Sequence, residues 1–118
     1  MCETEGIFIM LIKHFSSIQY VPTSHSCGLK QVLLSNEETN SNLTQIAITK
    51  LKQGETAEEH CHPDMVECFF IISGNLQIKI NGAIYQCTED DFITVDCNDR
   101  HELKALTDCR FITIGCAI

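Results

Sequence analysis

The chain has 118 residues, 44% of them hydrophobic, with 16 acidic against 8 basic side chains and a net charge of -8. That length holds one compact domain with a real core and argues against a multi-domain architecture. An acidic excess with no Lys/Arg run or basic stripe argues against nucleic acid and membrane surfaces as partners.

The start, Met1-Cys2-Glu3-Thr4-Glu5, is acidic where a secretory signal is basic, and the apolar run over 7–12 is too short for a signal core or a membrane span. We therefore expect a cytoplasmic protein whose 8 cysteines are reduced thiols, most of them small buried hydrophobes. No C-x-x-C pair occurs, which removes the simplest zinc-knuckle and thioredoxin-like readings. His14 and His25 have no in-register partner and read as ordinary surface histidines. Residues 35–42 are polar and form a loop. From there the periodicity is that of strands: 43–49, 66–72, 76–80, 84–87, 92–95 and 111–114 are short, β-branched and bounded by turn residues. Asn81-Gly82 between two of these runs is a hairpin signal, because both central residues of a type I′ turn need positive φ. The fold class is all-β, a sandwich or small barrel. The run over 66–72 is apolar on both faces except at Glu67, so its outer side needs a cover, either the 7–12 segment or a second subunit in a homodimer.

His60 and His62 stand two apart just before that run, which in extended chain places both imidazoles on one face, roughly 6.6 Å apart. Two nitrogens so placed can converge on one ion. Cys61 between them turns to the other face. Glu67 follows at the start of the next strand, where antiparallel pairing would set its carboxylate beside the two rings. A buried carboxylate needs a partner, and a metal cation is the one the imidazoles imply.

The spacing Gly54, His60, His62, Glu67, Gly74 fills every specified position of G-x5-H-x-H-x3,4-E-x6-G, and in this the sequence resembles the cupin superfamily. Of that family's second motif, G-x5-P-x-G-x2-H-x3-N, His101 stands in register, while Asp90, Asp96, Asn98 and Ala105 replace the usual Gly, Pro, Gly and Asn. Asn98 can adopt the left-handed conformation the glycine would supply. The resemblance implies a small β-barrel, a double-stranded jelly roll, as one domain over 1–118, with a motif core over 54–105 and N-terminal strands and loop over 1–42. It also implies one divalent transition ion (Fe, Mn, Ni, Zn or Cu) held by His60, His62, Glu67 and His101 at the barrel mouth. Three imidazoles and a carboxylate suit any of these metals. By strand phase Phe69, Ile71 and Leu103 should face the interior and floor a pocket, with Met65 at its rim and Arg100 as the one cation near the mouth.

The resemblance implies a metal-dependent enzyme on a small-molecule substrate, an isomerase or lyase acting on a sugar or keto acid. An Fe(II) or Ni(II) dioxygenase and a non-catalytic metal or ligand-binding protein are the alternatives.

Overall fold

The computed structural model describes residues 11–118; residues 1–10, with Cys2 and most of the apolar run over 7–12, lie outside the described residues. Within that span the strands are β1 (Val21–Pro22), β2 (Leu29–Ser35), β3 (Leu43–Leu51), β4 (Thr56–His60), β5 (Met65–Ser73), β6 (Leu76–Ile80), β7 (Ala83–Cys87), β8 (Phe92–Val95), β9 (His101–Ala105) and β10 (Cys109–Ala117). They form a six-stranded sheet in the order β1-β2-β3-β10-β5-β8 and a four-stranded sheet in the order β4-β9-β6-β7. Every strand pair is antiparallel. This is an all-β jelly roll. No helix among the described residues is long and apolar enough to cross a membrane.

Local chemistry accounts for much of the chain path. Ile80 pairs with Ala83 across a two-residue turn in which Asn81 and Gly82 have φ of 48° and 87°, the type I′ geometry their residue types favour. Asp90 and Asn98 also take positive φ, 72° and 69°, so the two positions where the second motif usually carries glycine keep the glycine-like backbone with short polar residues instead. The polar segment after β2 contains a 3-10 turn, Asn36–Glu38, closed by a capping box between Ser35 and Glu38.

Period-2 alternation turns one face of each sheet inward. Leu51, Phe69, Ile71 and Phe111 of the larger sheet meet Ala57, Leu76, Ile78 and Leu103 of the smaller one, all buried. Fully burying a side chain of the size of Ile71, Leu76 or Ile78 contributes roughly 1.5–3 kcal/mol. On the outer face of the larger sheet Phe70 pairs with Phe92, and both are exposed in the single chain.

The cysteines depart from expectation. All seven in the described span are free, but Cys109 alone among them is buried, and Cys61 and Cys116 are exposed. Cys61 lies beyond the last residue of β4 and Cys116 follows a register shift after Gly115, so neither sits in the regular inward phase of a strand.

Candidate metal centre

A bulge in β4 builds the first half of the site. Ala57 pairs with Leu103 and His60 with His101, so Glu58 and Glu59 together oppose Glu102. Ala57 faces the core; strict alternation would turn His60 outward, and the extra residue restores its inward phase. The chain leaves β4 at His60, yet His62 in the connection still brings its ring to 4.9 Å from the His60 ring, centroid to centroid. His101, buried at the start of β9, lies 4.1 Å from His60 on the same measure.

Glu67 reaches the cluster by a different route from the one expected. Its strand β5 pairs with β10 and β8, not with β4, so the carboxylate crosses the barrel from the opposite sheet. Its Oε1 lies 3.0 Å from His101 Nε2 and 3.4 Å from His62 Nε2. The four residues offer ligand atoms that all lie within 4.8 Å of one another.

The donor set fits a divalent transition metal. Donors bonded at about 2.1 Å to a common ion lie within about 4.2 Å of each other, so a small contraction suffices. The imidazoles are also oriented for ligation. His60 Nδ1 lies 2.6 Å from the Glu58 carbonyl oxygen and His101 Nδ1 lies 2.9 Å from that of Asp99. In each case the carbonyl accepts from Nδ1–H, and Nε2 is left as the inward-facing nitrogen.

Without a metal the same groups neutralise each other with protons. Burial works to raise the Glu67 carboxyl, but the hydrogen bond with His101 and the charges of His62, His101 and His60 outweigh it and hold it below its ordinary value. Burial likewise works to lower His101, but the Glu67 hydrogen bond, the Asp99 carbonyl and the two carboxylate charges raise it. At His60 burial prevails, assisted by the neighbouring histidines, and the imidazole is pushed down toward its neutral, ligating form.

The cluster opens onto a cavity of about 80 Å³. His60, Glu67, Phe69 and Leu103 border it, with Leu51, Ala57 and Phe111 completing an apolar floor. Ile71 lies in the core below and does not line it. Two further expectations for the pocket are corrected. The Met65 sulfur accepts a hydrogen bond from the Thr44 hydroxyl at 3.1 Å, both side chains lying where Gly115 has no Cβ, which holds Met65 off the cavity. Arg100 alternates with inward-facing His101, so it points outward, is exposed, and pairs with Glu59 at 3.1 Å.

The reading of His25 as an ordinary surface residue also changes. The segment over 23–27 folds across the mouth, held by Ser26 Oγ donating to Glu58 at 2.9 Å and Cys27 Sγ to the Thr56 carbonyl at 3.1 Å. It sets the His25 ring 4.7 Å from that of His60 and makes His25, Thr23 and Ser24 part of the cavity wall. No spacing rule links His25 to a motif 35 positions downstream. Only the path of the β1–β2 hairpin does.

Two antiparallel sheets around a small cavity, with three histidines and a glutamate at its mouth, define a jelly-roll barrel with a candidate metal centre. The chain matches the cupin domain family over residues 47–115, more than half its length, and belongs to that family. A relative named tetracenomycin polyketide synthase protein TcmJ, from Streptomyces glaucescens, is 24% identical over 83 residues, covering 70% of this chain and 56% of that protein. The chain therefore spans little more than half the length of this curated relative. Among solved structures, a predicted oxalate decarboxylase from Thermotoga maritima is similar at a TM-score of 0.81 and 21% identity, covering 92% of this chain and all of that one. Ectoine synthase from P. lautus is similar at 0.78 and 20% identity, over 91% of this chain and 78% of its own. At these identities the likeness establishes the fold.

Proposed function

We propose that the protein is a metal-dependent enzyme of the isomerase or lyase type acting on a small oxygenated molecule of the sugar or keto-acid class. One observation carries the reading: two members of the His60, His62, Glu67 and His101 cluster, His60 and Glu67, border a cavity with an apolar floor, so a molecule held there lies against the edge of the cluster. A divalent transition ion held by these side chains would supply Lewis acidity toward carbonyl or hydroxyl oxygens. The chain's own residues do the rest. Glu58 and Asp99 fix the imidazoles through their carbonyls, Phe69 and Leu103 exclude water from the floor, and the 23–27 segment narrows the mouth.

The cavity, at about 80 Å³, is smaller than the roughly 150 Å³ that accommodates benzene. Only a few heavy atoms of a substrate fit inside the cavity, and the rest of a larger molecule would extend through the open mouth. The description of one structural neighbour as a predicted oxalate decarboxylase supports a small-acid substrate.

Untreated protein should carry close to one equivalent of a transition metal by elemental analysis, and a panel of small keto acids and sugars should include one that is converted without oxygen uptake. Oxygen consumption coupled to turnover would replace this reading with a dioxygenase. Tight ligand binding without turnover would reduce it to a binding protein.

A further inference from the structure

Facing the histidines, the cavity is bordered by Lys30 of β2, Gln45 and Thr49 of β3, and Thr113 of β10. Lys30 pairs with Thr49 in register, and Thr49 is turned to the core, so the lysine stem starts on the inner face of the larger sheet. Its ammonium runs along the cavity wall and donates a hydrogen bond to Gln45 Oε1 at 2.9 Å. Among the described residues Lys30 makes no ion pair, although the chain carries 16 acidic side chains. The carboxylate that borders the same cavity, Glu67, is already engaged by His62 and His101. An ammonium has three donors, and Gln45 uses one.

A half-buried cation without a counter-charge loses hydration, and a single amide hydrogen bond offsets only part of that loss. In an acidic protein, an outward lysine would be the cheaper arrangement. The register also sets the span of the site. Gln45, Gly115 and Glu67 stand in one row across the sheet, so the amide that orients Lys30 and the carboxylate of the metal cluster are two strand spacings apart, roughly 9.5 Å at the backbone. Between them, the Thr44 hydroxyl and the Met65 sulfur occupy the place a Gly115 side chain would take.

We propose that Lys30, oriented by Gln45, binds the carboxylate of a small anionic substrate whose other end faces the His60, His62, Glu67 and His101 cluster. The proposal rests on the metal-dependent reading above and adds the substrate's charge: an acid, not a neutral sugar. The net charge of -8 disfavours anions at long range; the inward ammonium reverses that preference locally.

The test is calorimetric titration of pyruvate, 2-oxobutyrate and the neutral amide pyruvamide into wild type, Lys30→Met and Lys30→Arg, with the metal content of each sample measured. Lys30→Met should weaken the two acids roughly 10- to 100-fold, the range of a hydrogen bond to a charged group. It should leave pyruvamide unchanged, and Lys30→Arg should restore most of the loss. Thermal unfolding of each variant separates loss of binding from loss of fold. Equal affinity of the acids for wild type and Lys30→Met, an equal loss for pyruvamide, or no saturable binding of either acid to wild type would each overturn the proposal. Wild type without metal would refute the metal-dependent reading instead, while lysine-dependent acid binding to that same protein would still support the assignment of Lys30.

Discussion

The smaller sheet and the connection leaving it bring three imidazoles into one cluster, of which His60 borders the cavity, whereas the larger sheet lines that cavity with a carboxylate, an ammonium, an amide and two hydroxyls. The histidines are held by short backbone contacts, His60 to Glu58 and His101 to Asp99, which fix the direction of a lone pair. Metal ligation needs that directionality. Lys30 and Gln45 are held by one another on a flexible stem, which suits the recognition of charge more than of angle. On the proposed reading, the smaller sheet and its connection would give an ion three of its ligands, while the larger sheet would add Glu67 and the groups that meet the substrate.

The largest blow to this division is His62→Ala. It should abolish stoichiometric metal in purified protein while the sheets remain; retention of a full equivalent on elemental analysis would refute the assignment. Next, Ile71→Ala, in the core below the cavity, should cost about 2–5 kcal/mol in chemical denaturation, with metal retained because no ligand moves. If metal is lost along with stability, the histidine wall depends on the core more than its hydrogen bonds suggest.

A pH series sharpens the contrast between proton and metal. In metal-free protein the Glu67–His101 pair stabilises the fold fully between about 4.5 and 6.5, the ordinary values of its two members. The contribution is lost as pH rises through the raised His101 value and as it falls through the lowered Glu67 value. Metal reverses the histidine arm: only neutral imidazole ligates, so the added stability should fade as pH falls through the histidine range near roughly 6. Thermal unfolding with and without added metal reads both, and parallel pH profiles would contradict histidine ligation. The smallest effect belongs to Arg100→Ala. Its pair with Glu59 is exposed, with side-chain exposures of 62% and 40%, so the change should stay within about 1 kcal/mol in denaturation. Acid binding and metal content should not change; a loss of acid binding would return Arg100 to the site.

Much of the fold was legible in the sequence. The runs over 76–80 and 92–95 coincide with β6 and β8, and the Asn81-Gly82 hairpin forms as its turn chemistry requires. The family resemblance implies N-terminal strands within 1–42, but periodicity places no run on β1 or β2, nor on β4 or β9. β1 has two residues, and β2 mixes Lys30, Gln31 and Ser35 with its apolar residues because Gln31 is buried on the outer face, its amide donating to the carbonyls of Phe15 and Ile18. A polar residue satisfied by backbone leaves no apolar period to detect. That omission hid Lys30 and His25, both carried by the same hairpin.

The sequence by itself determined the all-β class, the hairpin and the candidacy of His60, His62, Glu67 and His101, because period-2 alternation, turn propensity and motif spacing are local properties of the chain. The tertiary structure decided the rest. It supplied the bulge that turns His60 inward, brought Glu67 across from the opposing sheet, turned Arg100 out and Lys30 in, and laid His25 against His60. Each of these depends on which distant strands pair and in what register, and local spacing does not encode that.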